Sequence, residues 1–154
     1  MADVNPHLET IAPWISAGIR RTVPTAELVT VFPDTYQRVA AAAGQAGVQL
    51  VGPAYGCYFG MPSDVVDVEI GFGIDREADI PDLIVTAHPA QRAVVATHTG
   101  PYDKLHETYD ALMPWLAEQD LDLSDAMWEL YESPPETDPA ETVTRIVFPL
   151  REAL

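Results

Sequence analysis

The chain has 154 residues, 47% hydrophobic and 21% charged, a balance that fits one globular domain with its own core and excludes a disordered chain. Its 24 acidic residues outnumber 8 basic ones for a net charge of −16, with no basic cluster beyond Arg20-Arg21, so direct nucleic-acid binding is not expected. No apolar run approaches a membrane span, "MADVNPHLET" lacks the marks of a signal peptide, and the lone Cys57 precludes an intrachain disulfide, which together suggest a cytoplasmic protein.

"WISAGIRRTV" (residues 14–23) reads as a strand. Pro33 and Asp34 then open a helix, with Asp34 and Gln37 at capping-box spacing, and the Ala-rich stretch runs to a stop at Gly47. "GPAYGCYFG" is a short strand between Gly and Pro punctuation. "VVDVEIGF" alternates, with Val66, Val68, Ile70 and Phe72 on one face and Asp67, Glu69 and Gly71 on the other. "AQRAVVATH" is the next strand, followed after "TGPY" by a helix with an apolar stripe at Leu105, Tyr109, Leu112 and Leu116. Pro114 lies within that stripe and predicts a kink or an early end, because it lacks an N–H and crowds the carbonyl of Asp110. "AMWELYE" and "ETVTRIVF" are the last two strands.

These elements repeat. Residues 35–58 align without a gap on residues 108–131, a shift of 73 that places Tyr36 on Tyr109, Val39 on Leu112, Tyr55 on Trp128 and Tyr58 on Tyr131. "VEIGFGI" then matches "TRIVFPL" after a short insertion at "PPETDP". The predicted architecture is α+β: one domain over residues 1–154 made of two strand-helix-strand-strand halves, at about 14–75 and 82–151. Its antiparallel sheet carries both helices on one face and leaves the other face open as a ligand groove.

Glu129 is a lone carboxylate inside an apolar strand. Alternation puts Glu129 and Tyr131 on one face, about 7 Å apart, and Trp128 with Leu130 on the other. The large apolar pair belongs against the helices, so Glu129 and Tyr131 are expected on the open face, with Gly56 and Tyr58 at the matching places in the first half. A roomy, aromatic-sided cleft with a single acid fits a flat or cationic ligand. The competing expectation is that Glu129 is a solvated charge on an exposed strand face and that the tyrosines pack at a sheet edge.

"GPAYGCYFG", "DVEIGFGI", "THTGPYDKLHETYDALMPWLAE", "MWELYESP" and "TRIVFPL" resemble the GyrI-like small-molecule-binding domain, the effector-binding domain of AraC-type and MerR-type multidrug regulators. The resemblance runs from about Trp14 to the C-terminus. It implies the tandem repeat, shared with SOUL-type haem-binding proteins. It also implies an acid on the central strand that meets lipophilic cations among aromatic rings, which here is Glu129 with Tyr131 and Tyr58. Some stand-alone members are implied to be hydrolases that open the cyclopropane of DNA-alkylating natural products with a pocket Glu and Tyr, here Glu129 and Tyr131. Others are linked to gyrase inhibition. The sequence departs from the regulator pattern in having no segment for a helix-turn-helix, and Gly56 and Cys57 differ from the residues expected there.

The expected function is therefore a stand-alone binder of small, lipophilic cations, with the hydrolase and a gyrase-interacting role as alternatives. A separate regulator or gyrase is a further partner to consider. His7, His88, His98 and His106 lack metal-ligand spacing and read as surface or packing residues, and no haem axial ligand is discernible, so neither a metal nor a cofactor is expected. Cys57 and Trp115 read as core.

Overall fold

The computed structural model describes residues 5–60, 64–101, 104–133 and 137–151. In chain order these form β1 (His7–Ile11), β2 (Trp14–Pro24), α1 (Leu28–Gln45), β3 (Leu50–Phe59), β4 (Val65–Ile74), β5 (Ile84–His88), β6 (Gln91–Thr99), α2 (Leu105–Glu118), β7 (Ala126–Tyr131) and β8 (Val143–Pro149). Two compact units result. One is Ala12–Ala90; the other combines β1 with β6, α2, β7 and β8.

In the first unit the antiparallel strand order is β3-β4-β2-β5, and in the second it is β7-β8-β6-β1. The two orders are the same once the repeat is applied, so the strand-helix-strand-strand pattern holds in both. Each unit also gains an edge strand that the sequence reading does not contain: β5 beside β2, and β1 beside β6. The registers correspond too. Gly56 and Ile19 flank Ile70 in one sheet, and Glu129 and Ala96 flank Ile146 in the other.

Helix α1 begins at Leu28, not at Pro33, after a 3₁₀ turn over Thr25–Glu27. Asp34 is therefore no cap; its carboxylate pairs with Arg38 one turn on, at 3.2 Å. Pro33 is tolerated inside the helix because it is exposed, as is Val29, whose carbonyl the proline leaves without its usual donor. Pro114 in α2 is exposed in the same way, and the helix runs through it to Glu118 instead of ending early. Gly47, with φ +72°, ends α1 as expected, and the Val48 N–H closes the turn on the Ala43 carbonyl at 2.9 Å.

The α1 residues Val31, Thr35, Val39 and Ala43 are buried at four-residue spacing. Val31 packs with Val23, Val66, Val68 and Ile70, and Ala43 with Ala17 and Ile74. In the second unit Leu112 and Leu116 of α2 pack on Val94, Ala96 and Ile146. That sheet has a second apolar face as well: Ala93, Val95 and Val147, with Ile11, Trp128 and Leu130 against them.

Candidate functional site

Directly paired residues on neighbouring strands project to the same side of a sheet. Glu129 on β7 pairs with Ile146 on β8, and Ile146 packs against Leu112 and Leu116 of α2. Glu129 and Tyr131 therefore face α2, and Trp128 and Leu130 occupy the opposite face. This reverses the expected assignment. The sequence argument took the helix-free face to be open and sent the larger apolar pair to the helix. Instead, β1 supplies Ile11, and "AVVA" of β6 makes both faces of this sheet apolar.

On α2's side Glu129 is buried, with 7% of the residue's surface exposed. Two phenols hold it. Tyr109 of α2 donates its Oη–H to Oε2 at 2.5 Å, and Tyr131, two residues along the strand, donates to Oε1 at 2.7 Å. The sulfur of Met127, on the same face, lies 3.9 Å from the Tyr109 hydroxyl. Glu129 has no cationic partner among the described residues. The nearby Arg145 is committed on the other face to Glu9 at 2.7 Å and Glu132 at 3.4 Å. A carboxylate held by two neutral donors, with no cation beside it among the described residues, keeps lone-pair directions that can meet a positive charge.

Of the predicted site residues, the structure brings Glu129 and Tyr131 into direct contact. Gly56 and Tyr58 occupy the equivalent places in the other unit: Gly56 pairs with Ile70, and Tyr58 packs on the Val31–Val68 cluster beside α1. Tyr109 was read only as part of the apolar stripe. Its signal was available, because a tyrosine in a core-facing stripe needs a partner for its hydroxyl, and Glu129, set between apolar residues of its strand, lacked one. In the first unit, where the strand carries Gly56 in place of an acid, the corresponding Tyr36 donates to the main-chain carbonyl of Tyr55 at 3.1 Å.

A second buried acid also escaped the sequence reading. Glu69 of β4 accepts the Tyr55 hydroxyl at 2.5 Å, on the face away from α1. Burial pushes its carboxyl above the ordinary range, which the Tyr55 bond and the charge of Arg20 only partly offset. Burial also raises the neighbouring Cys57 thiol, so this cysteine is a core residue, as expected, and not a ready nucleophile. Along the same face Ser16 bonds His88 at 2.8 Å, and Trp14 stacks on that imidazole at 4.6 Å between ring centroids. Burial lowers the affinity of His88 for a proton. Among the described residues no group of three His, Cys, Asp or Glu side chains is arranged to hold a metal, and no helix is long and apolar enough to cross a membrane.

The profile of the GyrI-like small molecule binding domain matches residues 5–151. The chain belongs to this family. Within it, the GyrI-like chain is similar in structure to the C-terminal domain of EcmrR, at TM-score 0.80 and 25% identity over 98% of this chain and 99% of that one. It also matches EcmrR in a DNA complex, at TM-score 0.78 and 25% identity over 97% of this chain and 58% of that one. The protein SAV2435, solved with tetraphenylphosphonium bound, shares the fold at TM-score 0.67 and 17% identity, over 96% of this chain and 94% of that one. No curated relative matches the sequence.

Proposed function

We propose that this GyrI-like domain binds small lipophilic cations on the α2 face of β7, with Glu129 as the counter-charge. Tyr109 and Tyr131 serve as hydrogen-bond donors that orient its carboxylate and as rings beside the bound cation. The observation that carries this reading is Glu129 itself: a buried residue whose carboxylate is bonded to two phenols and faces no cation among the described residues. A carboxylate offers about four lone-pair directions, so two phenol bonds leave room for a further charge contact. Family membership supports small-molecule binding, and the phosphonium bound by SAV2435 supports the choice of a lipophilic cation as probe. Gly56 and Tyr58 carry no part of the proposal.

The test is a fluorescence titration of wild type and Glu129→Gln with tetraphenylphosphonium and with uncharged triphenylphosphine oxide. Loss of a buried charge contact predicts roughly tenfold or more weakening for the phosphonium, with the neutral ligand held within about twofold. Equal loss for both ligands refutes the charge role. The Glu–Tyr pair also fits the hydrolase alternative, in which the acid takes a proton from water. Turnover of a cyclopropane-bearing alkylator, abolished by Glu129→Gln, would select that reading.

A further inference from the structure

Tyr109 reaches Glu129 when α2 keeps its height and rotation on its sheet, which the packing of Leu112 and Leu116 and one polar contact at its first turn both bear on. His98 of β6 is 3% exposed and lies on the rung that runs through Thr144 of β8 to Tyr131 of β7, all on α2's side. Its ring spans two bonds: Nδ1 to the Thr108 hydroxyl at 2.7 Å, and Nε2 to the Pro101 carbonyl at 2.9 Å. A carbonyl can only accept, so Nε2 carries the hydrogen, and in the neutral ring the lone pair of Nδ1 accepts from Thr108. Pro101 O also receives the Lys104 N–H at 3.0 Å, just ahead of the helix. The imidazole thus fastens both the approach to α2 and its first turn to β6. The fastened residue, Thr108, is fully buried and directly precedes Tyr109.

A looser contact than this latch stands at the equivalent place in the other unit. There Arg21 of β2 stands where His98 does, on the rung through Val68 to Tyr58, and its guanidinium donates to the Thr35 hydroxyl at 3.5 Å. Thr35 is fully buried and precedes Tyr36, as Thr108 precedes Tyr109. A basic strand residue, a helical threonine and a following tyrosine are common to both units, while the acid is present only at Glu129.

We propose that His98 and Thr108 are positioning residues for the Glu129 site: their bond fixes where Tyr109 places its hydroxyl, and through it the preference of the site for cations over neutral ligands. This rests on the reading of Glu129 given above. Neither residue needs to touch the ligand.

The test reads the ratio of affinities for tetraphenylphosphonium and triphenylphosphine oxide. Thr108→Val keeps the side-chain shape and removes the hydroxyl; Thr108→Ser keeps the hydroxyl. Loss of one buried hydrogen bond predicts that Thr108→Val lowers the ratio about three- to tenfold, while Thr108→Ser holds it within about twofold. In a Tyr109→Phe background Thr108→Val is predicted to lower the ratio no further, because the hydroxyl it positions is already gone. His98→Gln, which retains an N–H for Pro101 without an acceptor at the place of Nδ1, reads the same quantity if Thr108→Val does not fold. A variant that lowers both affinities by one factor, or acts as strongly in the Tyr109→Phe background, overturns the proposal. Glu129→Gln separates the two failures. A ratio collapsed by Glu129→Gln but unmoved by Thr108→Val overturns the latch alone, and a ratio unmoved by either overturns the site together with the latch.

Discussion

Tyr109→Phe removes one oxygen and leaves the ring, so it isolates the bond from α2 to Glu129. In the wild type that bond spans 2.5 Å and ends on the carboxylate of a buried residue, where water screens less than at the surface. Hydrogen bonds to charged groups contribute about 1.5–3 kcal/mol, and here the acceptor keeps a second donor in Tyr131, so the lower half of that range applies. A loss of about 1.5–2 kcal/mol corresponds to roughly 3–8 °C in Tm at this chain length. Urea unfolding followed by circular dichroism measures it, with an unchanged slope showing that the compactness of the two states is preserved. A midpoint shift worth less than about 0.5 kcal/mol would mean that Glu129 is hydrated and that α2 does not hold it, which refutes the buried-acid argument.

Leu112→Ala should cost about 2–5 kcal/mol in the same assay, since Leu112 is fully buried between Val94, Ala96 and Ile146 and its truncation leaves a cavity. Glu69→Gln should change the dependence of stability on pH. The carboxyl of Glu69 is raised in the folded state, so wild-type stability is intact below the unfolded value near 4.5 and declines as pH climbs through the folded value. The glutamine variant should match wild type at pH 4 and gain on it progressively above pH 4.5 until the folded carboxyl is fully ionised; parallel profiles would show that Glu69 is solvated. His88 runs the other way: its lowered proton affinity predicts a stability loss as pH falls below 6.5, and His88→Gln should remove that loss in acid titrations.

Much of the fold was legible because local pattern and tertiary structure agree. The alternation in "VVDVEIGF" became β4, and the Leu105–Leu116 stripe became the buried side of α2. The start of α1 was misplaced because a proline was taken as a boundary, whereas Pro33 sits on the solvent side, where a missing N–H costs least. The edge strands β1 and β5 are five residues each, too short for their periodicity to stand out. For the site, the pairing of Glu129 with Tyr131 followed from the two-residue repeat of a strand, but the face did not. Period alone groups residues without saying which group meets the helix. That information lay in β6, whose four buried residues Ala93 to Ala96 require cover on both sides of the sheet. His98, set aside as a packing histidine, does pack, and it is also the residue that ties α2 to the strand before it.

The account turns on where a bound cation rests. Tetraphenylarsonium keeps the shape and charge of the phosphonium and adds an anomalous scatterer, so a crystal of its complex locates the charge directly. The account predicts an arsenic peak within about 6 Å of the Glu129 carboxylate, on the α2 face and beside the Tyr109 and Tyr131 rings. An arsenic peak beside Glu69 or against exposed acids, with the Glu129 carboxylate still bonded only to its two phenols, would contradict it.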